Sequence, residues 1–419
     1  MKLAVVGGGS TYTPELIDGF ARLRDELPLT EIALVDPDAS RLELVAGVSR
    51  RMLARAGHPA EVVATSDLQR GVEGAQAVLF QLRVGGQAAR DVDETFPLAC
   101  GCVGQETTGA GGLAKALRTV PVVRGLAATV REHAPEAWIV DFTNPVGIVT
   151  RALLDDGHRA IGLCNVAIGF QRRFADHLGL APERVRLGHV GLNHLTWERA
   201  VYVDGENVLP RLIAEHGQAI ADDLRLPLEL IERLQVVPSY YLRYFYAHDL
   251  VVEEQRTRPS RASEVAALEE QLLRLYADPS VDTKPEQLAK RGGAFYSEAA
   301  VALIASLLGD RGDVQVVNTR NNGTLPFLSD DAVVEVPAKV TAAGAVPLPV
   351  EPVEPVEPLY AGLIAGVSAY EELALQAALY GGADRVRNAL LAHPLVGQEA
   401  IAAELTELLL EKNSGYLSW

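Results

Sequence analysis

The sequence predicts an α/β chain, with a doubly wound parallel sheet first and then an α-rich α+β segment carrying a small antiparallel sheet. Three observations carry that prediction. Short apolar, β-branched runs alternate with helix-period stretches over roughly the first 165 residues. A glycine-rich turn follows the first of those runs. After about Asn165 the alternation gives way to long amphipathic stretches.

The candidate strands are Lys2–Gly7, Ile32–Asp36, Val62–Thr65, Ala77–Gln81, Trp138–Phe142 and Ala160–Cys164, each bounded by turn residues as buried parallel strands are. Pro14–Leu27, Ser40–Gly57 and Thr119–His133 carry helical periodicity between them. Farther on, Arg186–Val190 and Glu198–Val203 read as antiparallel strands. Arg211–Asp222, Leu228–Leu234, Ser263–Tyr276, Ala299–Leu308, Leu359–Tyr380 and Gly397–Glu411 read as helices. The change of texture divides the chain into a cofactor-binding domain, 1–165, and a substrate-, metal-binding and oligomerisation domain, 166–419. Pro347–Pro358 repeats Glu-Pro-Val, a composition that favours an extended surface loop.

Composition narrows the function. A formal charge of −17 argues against nucleic acid or an anionic membrane as the main partner, since both demand basic surface. It leaves room for an anionic small substrate, because a few arginines in a pocket outweigh a diffuse acidic exterior. Three cysteines are too few for a disulfide framework and suit a reducing cytoplasm. Met1 leads straight into a strand with no signal-peptide pattern, and no apolar run approaches the roughly 20 residues of a membrane helix.

The turn Gly7-Gly8-Gly9-Ser10-Thr11 sits where a first strand passes into a first helix. Glycine there admits positive φ and lets a pyrophosphate approach the amides. Gly7, Gly9, Ser10 and Thr11 are therefore candidate cofactor ligands, with Ser10 or Thr11 also expected to cap the helix. The third glycine of G-x-G-x-x-G is replaced by Tyr12. Asp36 ends the second strand, where a carboxylate would accept from ribose hydroxyls and repel a 2′-phosphate, favouring NAD over NADP. Together these make the first segment Rossmann-like.

Chemistry-bearing residues are scattered. Asn144 and the Cys164-Asn165 pair follow strand ends, and His194 lies in Gly191-Leu-Asn-His194; thiolate and imidazole both suit a first-row divalent metal, though spacing alone does not pair them. Arg83, Arg90, Arg118, Arg261 and Arg320 are plausible anion ligands, since a guanidinium fork matches a phosphate. Tyr240, Tyr241, Tyr244 and Tyr246 cluster on one candidate helix, and the polar, glycine-rich 104–109 loop reads as more than a connection.

In order along the chain, these segments resemble glycoside hydrolase family 4. The matching motifs are Gly7–Glu15, Arg83-Val-Gly-Gly86 with Arg90, Gly104-Gln-Glu-Thr-Thr-Gly109, Lys115-Ala-Leu-Arg118, Thr143-Asn-Pro145, Cys164-Asn-Val166, Gly191-Leu-Asn-His194, Arg291-Gly-Gly-Ala294 and Val317–Gly323. They span essentially the whole chain. The resemblance implies a hydrolase that recycles NAD⁺ within each turnover, one of the exceptions to two-carboxylate glycoside hydrolysis. It implies oxidation at C3, removal of the C2 proton by a tyrosinate, elimination at C1, water addition and re-reduction.

The resemblance further implies Cys164 and His194 as ligands of Mn²⁺ or a similar ion, Tyr241 (or its neighbour Tyr240) as base, and Glu106 as the residue that tunes that base. Asn144 would serve both cofactor and substrate, while Arg90, Asn165 and Arg261 would hold substrate. Asn165 stands where members that cleave α-linkages carry an aspartic acid. An amide cannot donate a catalytic proton, which points to 6-phospho-β-glucosides and leaves the leaving-group acid unassigned. Ala167 replaces the proline common in the family's Cys-Asn-x-Pro. The expected partner is a phosphorylated disaccharide or β-glucoside, and the expected assembly a homodimer or homotetramer. Rival readings are an unphosphorylated or α-linked substrate, a simple NAD-dependent 2-hydroxyacid dehydrogenase, and a non-catalytic NAD sensor.

Overall fold

The computed structural model describes every residue except Ala294, so that last residue of the Arg291-Gly-Gly-Ala motif lies outside the described residues. Six parallel strands, β1 (Lys2–Val6), β2 (Glu31–Val35), β3 (Glu61–Thr65), β4 (Ala77–Phe80), β5 (Trp138–Asp141) and β6 (Ala160–Gly162), run in the order β3-β2-β1-β4-β5-β6. This is the doubly wound arrangement, and the order reverses between β1 and β4. Alternation along each strand feeds two cores: Ala4, Val6, Val78 and Phe80 pack on one face, Leu3, Val5, Ile32 and Leu79 on the other. The first core is covered by the Gly109–His133, Val146–Asp155 and Pro358–Tyr380 helices, the second by Thr13–Arg22, Ala39–Arg55 and Tyr296–Gly309.

A separate antiparallel sheet is built from β7 (Val185–Leu192), β8 (Leu195–Val203), β9 (Glu206–Asn207) and β10 (Val237–Pro238). This is the small sheet expected after Asn165. Three further strands, β11 (Asp313–Arg320), β12 (Val333–Thr341) and β13 (Gly344–Pro347), extend the large sheet antiparallel from β6, with Asn318 opposite Gly162. They are absent from the sequence reading because buried Asn318 and Glu335 interrupt their apolar pattern. The large sheet thus draws strands from both sides of residue 165.

The Gly109–His133 helix starts well before the expected Thr119, since its first two turns are buried on every side and carry no amphipathic period. Residues 348–357 form neither helix nor strand, and carbonyls of Pro352, Glu354 and Pro355 accept from the buried Arg199 guanidinium at 3.0–3.1 Å. Among the described residues, no helix is long and apolar enough to cross a membrane.

Candidate active site

At the end of β1 the chain turns at Gly7, whose φ of 87° is in the left-handed region. A Cβ there would also lie 2.7 Å from the Gln81 carbonyl oxygen, so only glycine fits between β1 and β4. The Gly9 amide donates to Asp36 Oδ2 at 3.0 Å, and the Asp38 amide donates to the other carboxylate oxygen. Asp36 therefore fastens the glycine loop to the end of β2. The expected cap is not formed. The helix begins at Thr13 with Tyr12 as N-cap and no side-chain bond. Ser10 Oγ instead accepts from the Tyr12 amide at 3.2 Å, closing a turn just before the helix, while buried Thr11 accepts from Arg291 Nε at 3.0 Å. Arg291 and Arg41 share the Glu269 carboxylate, and Arg41 Nε donates to the Gly9 carbonyl at 2.7 Å. Burial opposes its ionisation, yet Arg291 and Arg41 hold Glu269 down at about 2.

Asn144 follows β5. Its Oδ1 is buried without a hydrogen-bond partner among the described residues, an acceptor suited to a ligand hydroxyl. Asn165 stands before the Val166–Leu178 helix as its N-cap. With the glycine loop at the sheet's reversal point and a carboxylate at the end of β2, these residues fit a dinucleotide.

The second half of the site is assembled from distant segments. The β7–β8 hairpin turns at Asn193-His194, with His194 at φ 63°. The His194 ring lies flat against Tyr241, 3.6 Å between centroids and 7° between planes. The hydroxyl of Tyr240 accepts from Arg243 at 2.9 Å instead. Cys164 is fully buried, its thiol bonded to the side chains of Tyr296 and Asn193. Burial, then Glu335, pushes its ionisation well above the usual range. Burial lowers His194 to about 4, keeping its ring neutral. Tyr241 is pushed far above the ordinary phenol range by burial, with Cys164, Tyr244 and Glu106 adding to it and Arg90 opposing.

Two charged clusters flank this trio. In the first, Glu106 receives Arg83, Arg90 and Lys115. Burial raises its pKa, but the three cations outweigh it and hold the carboxylate ionised. Burial brings Lys115 down to about 7. Arg90 also donates to Glu94 at 2.6 Å, and the other Glu94 oxygen accepts from the Ala262 amide at the start of the Arg261–Ala277 helix. Arg261 lies at that same helix start, half exposed and held by Glu264 and the Lys290 carbonyl.

In the second cluster, His189 Nδ1 faces Glu198 at 2.6 Å and Nε2 faces Glu335 at 3.1 Å. The second Glu335 oxygen accepts from Asn193 at 3.0 Å and Asn318 at 2.9 Å. Burial would lower His189, but Glu198 and Glu335 lift it to about 10.

Two of the candidate anion ligands belong elsewhere. Arg118 is buried against Asp93 and Asn413, and Arg320 joins Asp155 to Asp331. Both neutralise nearby carboxylates. Two neighbours of the site, Glu335 and Tyr296, were missed by sequence reading, and Lys115 and Arg291 were named only as motif members without a role. Lys115 carried a signal, standing between apolar Ala114 and Ala116 in a matched motif. Among the described residues, no group of three or more His, Cys, Asp or Glu side chains could hold a metal ion. The Cys164 thiol and the neutral His194 imidazole, both near Tyr241, nevertheless are donors that suit a divalent first-row cation whose remaining positions stay open, as in catalytic sites.

Comparison with known proteins places the chain in a family. Residues 2–180 match the family 4 glycosyl hydrolase model, and residues 189–396 match its C-terminal domain. A Bacillus subtilis (strain 168) protein named "Probable 6-phospho-beta-glucosidase" is 38% identical over 100% of this chain and 97% of its own. The Escherichia coli (strain K12) 6-phospho-beta-glucosidase is 35% identical over 100% and 96%. The 6-phospho-beta glucosidase from Thermotoga maritima, solved with NAD and glucose-6-phosphate, superposes with a TM-score of 0.93 at 35% identity, covering 100% of this chain and 99% of that one. The same enzyme has also been solved with manganese, NAD⁺ and glucose-6-phosphate, at a TM-score of 0.91 and 34% identity over 100% and 99%. The chain belongs to glycoside hydrolase family 4.

Proposed function

We propose that this enzyme hydrolyses 6-phospho-β-glucosides, that the glycine loop and Asp36 would hold NAD⁺, and that Cys164 and His194 would hold a divalent cation, Mn²⁺ or similar. The observation that carries the reading is Tyr241 stacked on His194, with Cys164, Glu106 and Arg90 close enough to shift its ionisation. A base placed against a metal ligand is what removal of a C2 proton beside a C3 ketone requires.

When bound, NAD⁺ supplies reversible hydride acceptance at C3, and the cation supplies Lewis-acid polarisation of the sugar oxygens. The chain's own groups do the rest. Tyr241 takes the C2 proton. Its burial favours the neutral phenol, so only added positive charge makes a tyrosinate available, and Arg90 contributes part of that charge. Glu106 fixes Arg83, Arg90 and Lys115 in one place, leaving the cluster with a surplus of positive charge. That cluster, with Arg261 at the nearby helix start, is suited to a 6-phosphate. Asn144 reaches substrate and cofactor from the end of β5, and Asp36 meets the adenine ribose. Asn165, lacking a proton to give, favours β-linked over α-linked substrates.

On this reading residues 1–165 hold the cofactor, and 166–419 bring substrate and metal residues and the contacts of a homodimer or homotetramer. Three free thiols fit action in the cytoplasm. The test is release of nitrophenol from the 6-phosphorylated β-glucoside, omitting NAD⁺, Mn²⁺ and thiol reductant in turn. Turnover that needs NAD⁺ and Mn²⁺ without net NADH is expected. Cleavage of only the unphosphorylated or α-linked glycoside would overturn the substrate, and stoichiometric NADH would make it a dehydrogenase.

A further inference from the structure

The loop before the Gly109–His133 helix places Glu106 in the cationic cluster and its two neighbours, Gln105 and Thr107, in another network. Thr107 Oγ1 is 2.9 Å from His194 Nδ1. The same oxygen is 2.7 Å from Gln105 Oε1, which also accepts from the Thr107 backbone amide. Proton positions follow from counting donors.

An amide N–H can only donate, so the Gln105 atom facing it is the carbonyl oxygen; the amino group would set donor against donor. That oxygen carries no hydrogen, so the Thr107 hydroxyl donates its single proton to Gln105. Only the hydroxyl's lone pairs remain for His194, and the bond to Nδ1 forms only if Nδ1 bears the hydrogen. In a neutral ring the lone pair then lies on Nε2. Tyr241 stacking holds the ring plane but is indifferent to a half-turn of the ring about its bond to Cβ. The Thr107 contact removes that ambiguity.

We propose that Gln105 and Thr107 are positioning residues that hold His194 in its Nδ1–H form, so that Nε2 presents its lone pair to the divalent cation. The proposal rests on His194 being a metal ligand, as read above. The partner of the non-ligating nitrogen is what orients a metal-binding histidine, and its loss lowers metal affinity on the order of ten- to a hundredfold.

The test is made on the full-length, metal-free protein with ¹⁵N-labelled histidine, reading the two ring nitrogens of His194 by long-range proton–nitrogen correlation, the signal being assigned by its loss in His194→Gln. The wild type is expected in the Nδ1–H form. Thr107→Ser and Gln105→Glu keep the donor and acceptor and should keep that form. Thr107→Val and Gln105→Leu should lose it, and should bind Mn²⁺ roughly ten- to a hundredfold more weakly by calorimetry. A wild-type ring protonated on Nε2 overturns the proposal, as does a Thr107→Val or Gln105→Leu protein with unchanged tautomer and Mn²⁺ affinity. If the wild type is Nδ1–H yet takes no Mn²⁺, the ligand assignment falls, and the purpose given to this lock falls with it. The wild-type tautomer is read without any change at Gln105 or Thr107, so the proposal stays open to refutation even if Thr107→Val or Gln105→Leu fails to fold.

Discussion

The two charged clusters that act on His194 are both largely buried and both built on glutamate, yet they carry opposite balances. Around Glu106 three cations share one carboxylate, with Glu94 as a second partner for Arg90. Around His189 two carboxylates share one imidazole, with Asn193 and Asn318 completing the second carboxylate. Neither arrangement is needed for packing alone, since buried ion groups are weak sources of stability against apolar replacements. The difference teaches where charge is wanted: surplus positive charge where a phosphate would arrive, surplus negative charge behind the thiol and imidazole that would take a cation.

The largest expected effect lies between the clusters. Tyr241→Phe should lower turnover of the phosphorylated β-glucoside by about 10²–10⁴-fold and stop solvent exchange at C2, with NAD⁺ binding unchanged by titration. Retained exchange would move the base elsewhere and deprive the comparison of its centre.

Next comes the cationic cluster. Glu106→Gln takes the carboxylate from buried Lys115 and partly exposed Arg83, while Arg90 keeps Glu94, and breaking a buried pair costs on the order of 3–5 kcal/mol. Denaturant unfolding should show this loss. Unchanged stability would mean that Arg83, Arg90 and Lys115 do not depend on the carboxylate.

The anionic cluster should show itself through pH. Folded His189 titrates near 10 and the free side chain near 6.5. Folding therefore binds this proton more tightly, and its stabilisation is complete below about 6.5 and lost as pH rises through about 10. The melting temperature should decline across that window, and His189→Gln should flatten the decline. A wild-type profile without slope would show that the imidazole is not held charged.

The smallest effect is expected at Arg261, half exposed and already paired with Glu264. Arg261→Ala should raise KM for the phosphorylated substrate by a few-fold, within the roughly 1 kcal/mol typical of exposed pairs. Arg90→Ala should raise it more. Equal effects would remove the distinction between the buried and exposed arginine.

Local pattern was enough for some of the molecule. The six parallel strands, the glycine turn and Asp36 were legible because strand period, turn chemistry and strand-end position are properties of a few consecutive residues. Recognition of ordered motifs then named Cys164, His194, Tyr241 and Glu106, but gave no contact between them. Strands β11–β13 escaped because the buried polar residues that serve the site disguise the apolar alternation. The helix cap failed for a related reason: Thr11 faces Arg291, which is 280 residues away.

What the sequence by itself determined is the six parallel strands, their cofactor edge and the family's set of reactive residue types, each encoded in short-range periodicity or a contiguous motif. Tertiary structure alone decided that Tyr241 rather than Tyr240 meets His194, that Arg118 and Arg320 serve other carboxylates, and that Thr107 meets the His194 ring nitrogen. Those outcomes depend on contacts between segments tens to hundreds of residues apart. Their pairing is set by how loops close and which buried charges can be satisfied together, and no window of consecutive residues contains that information.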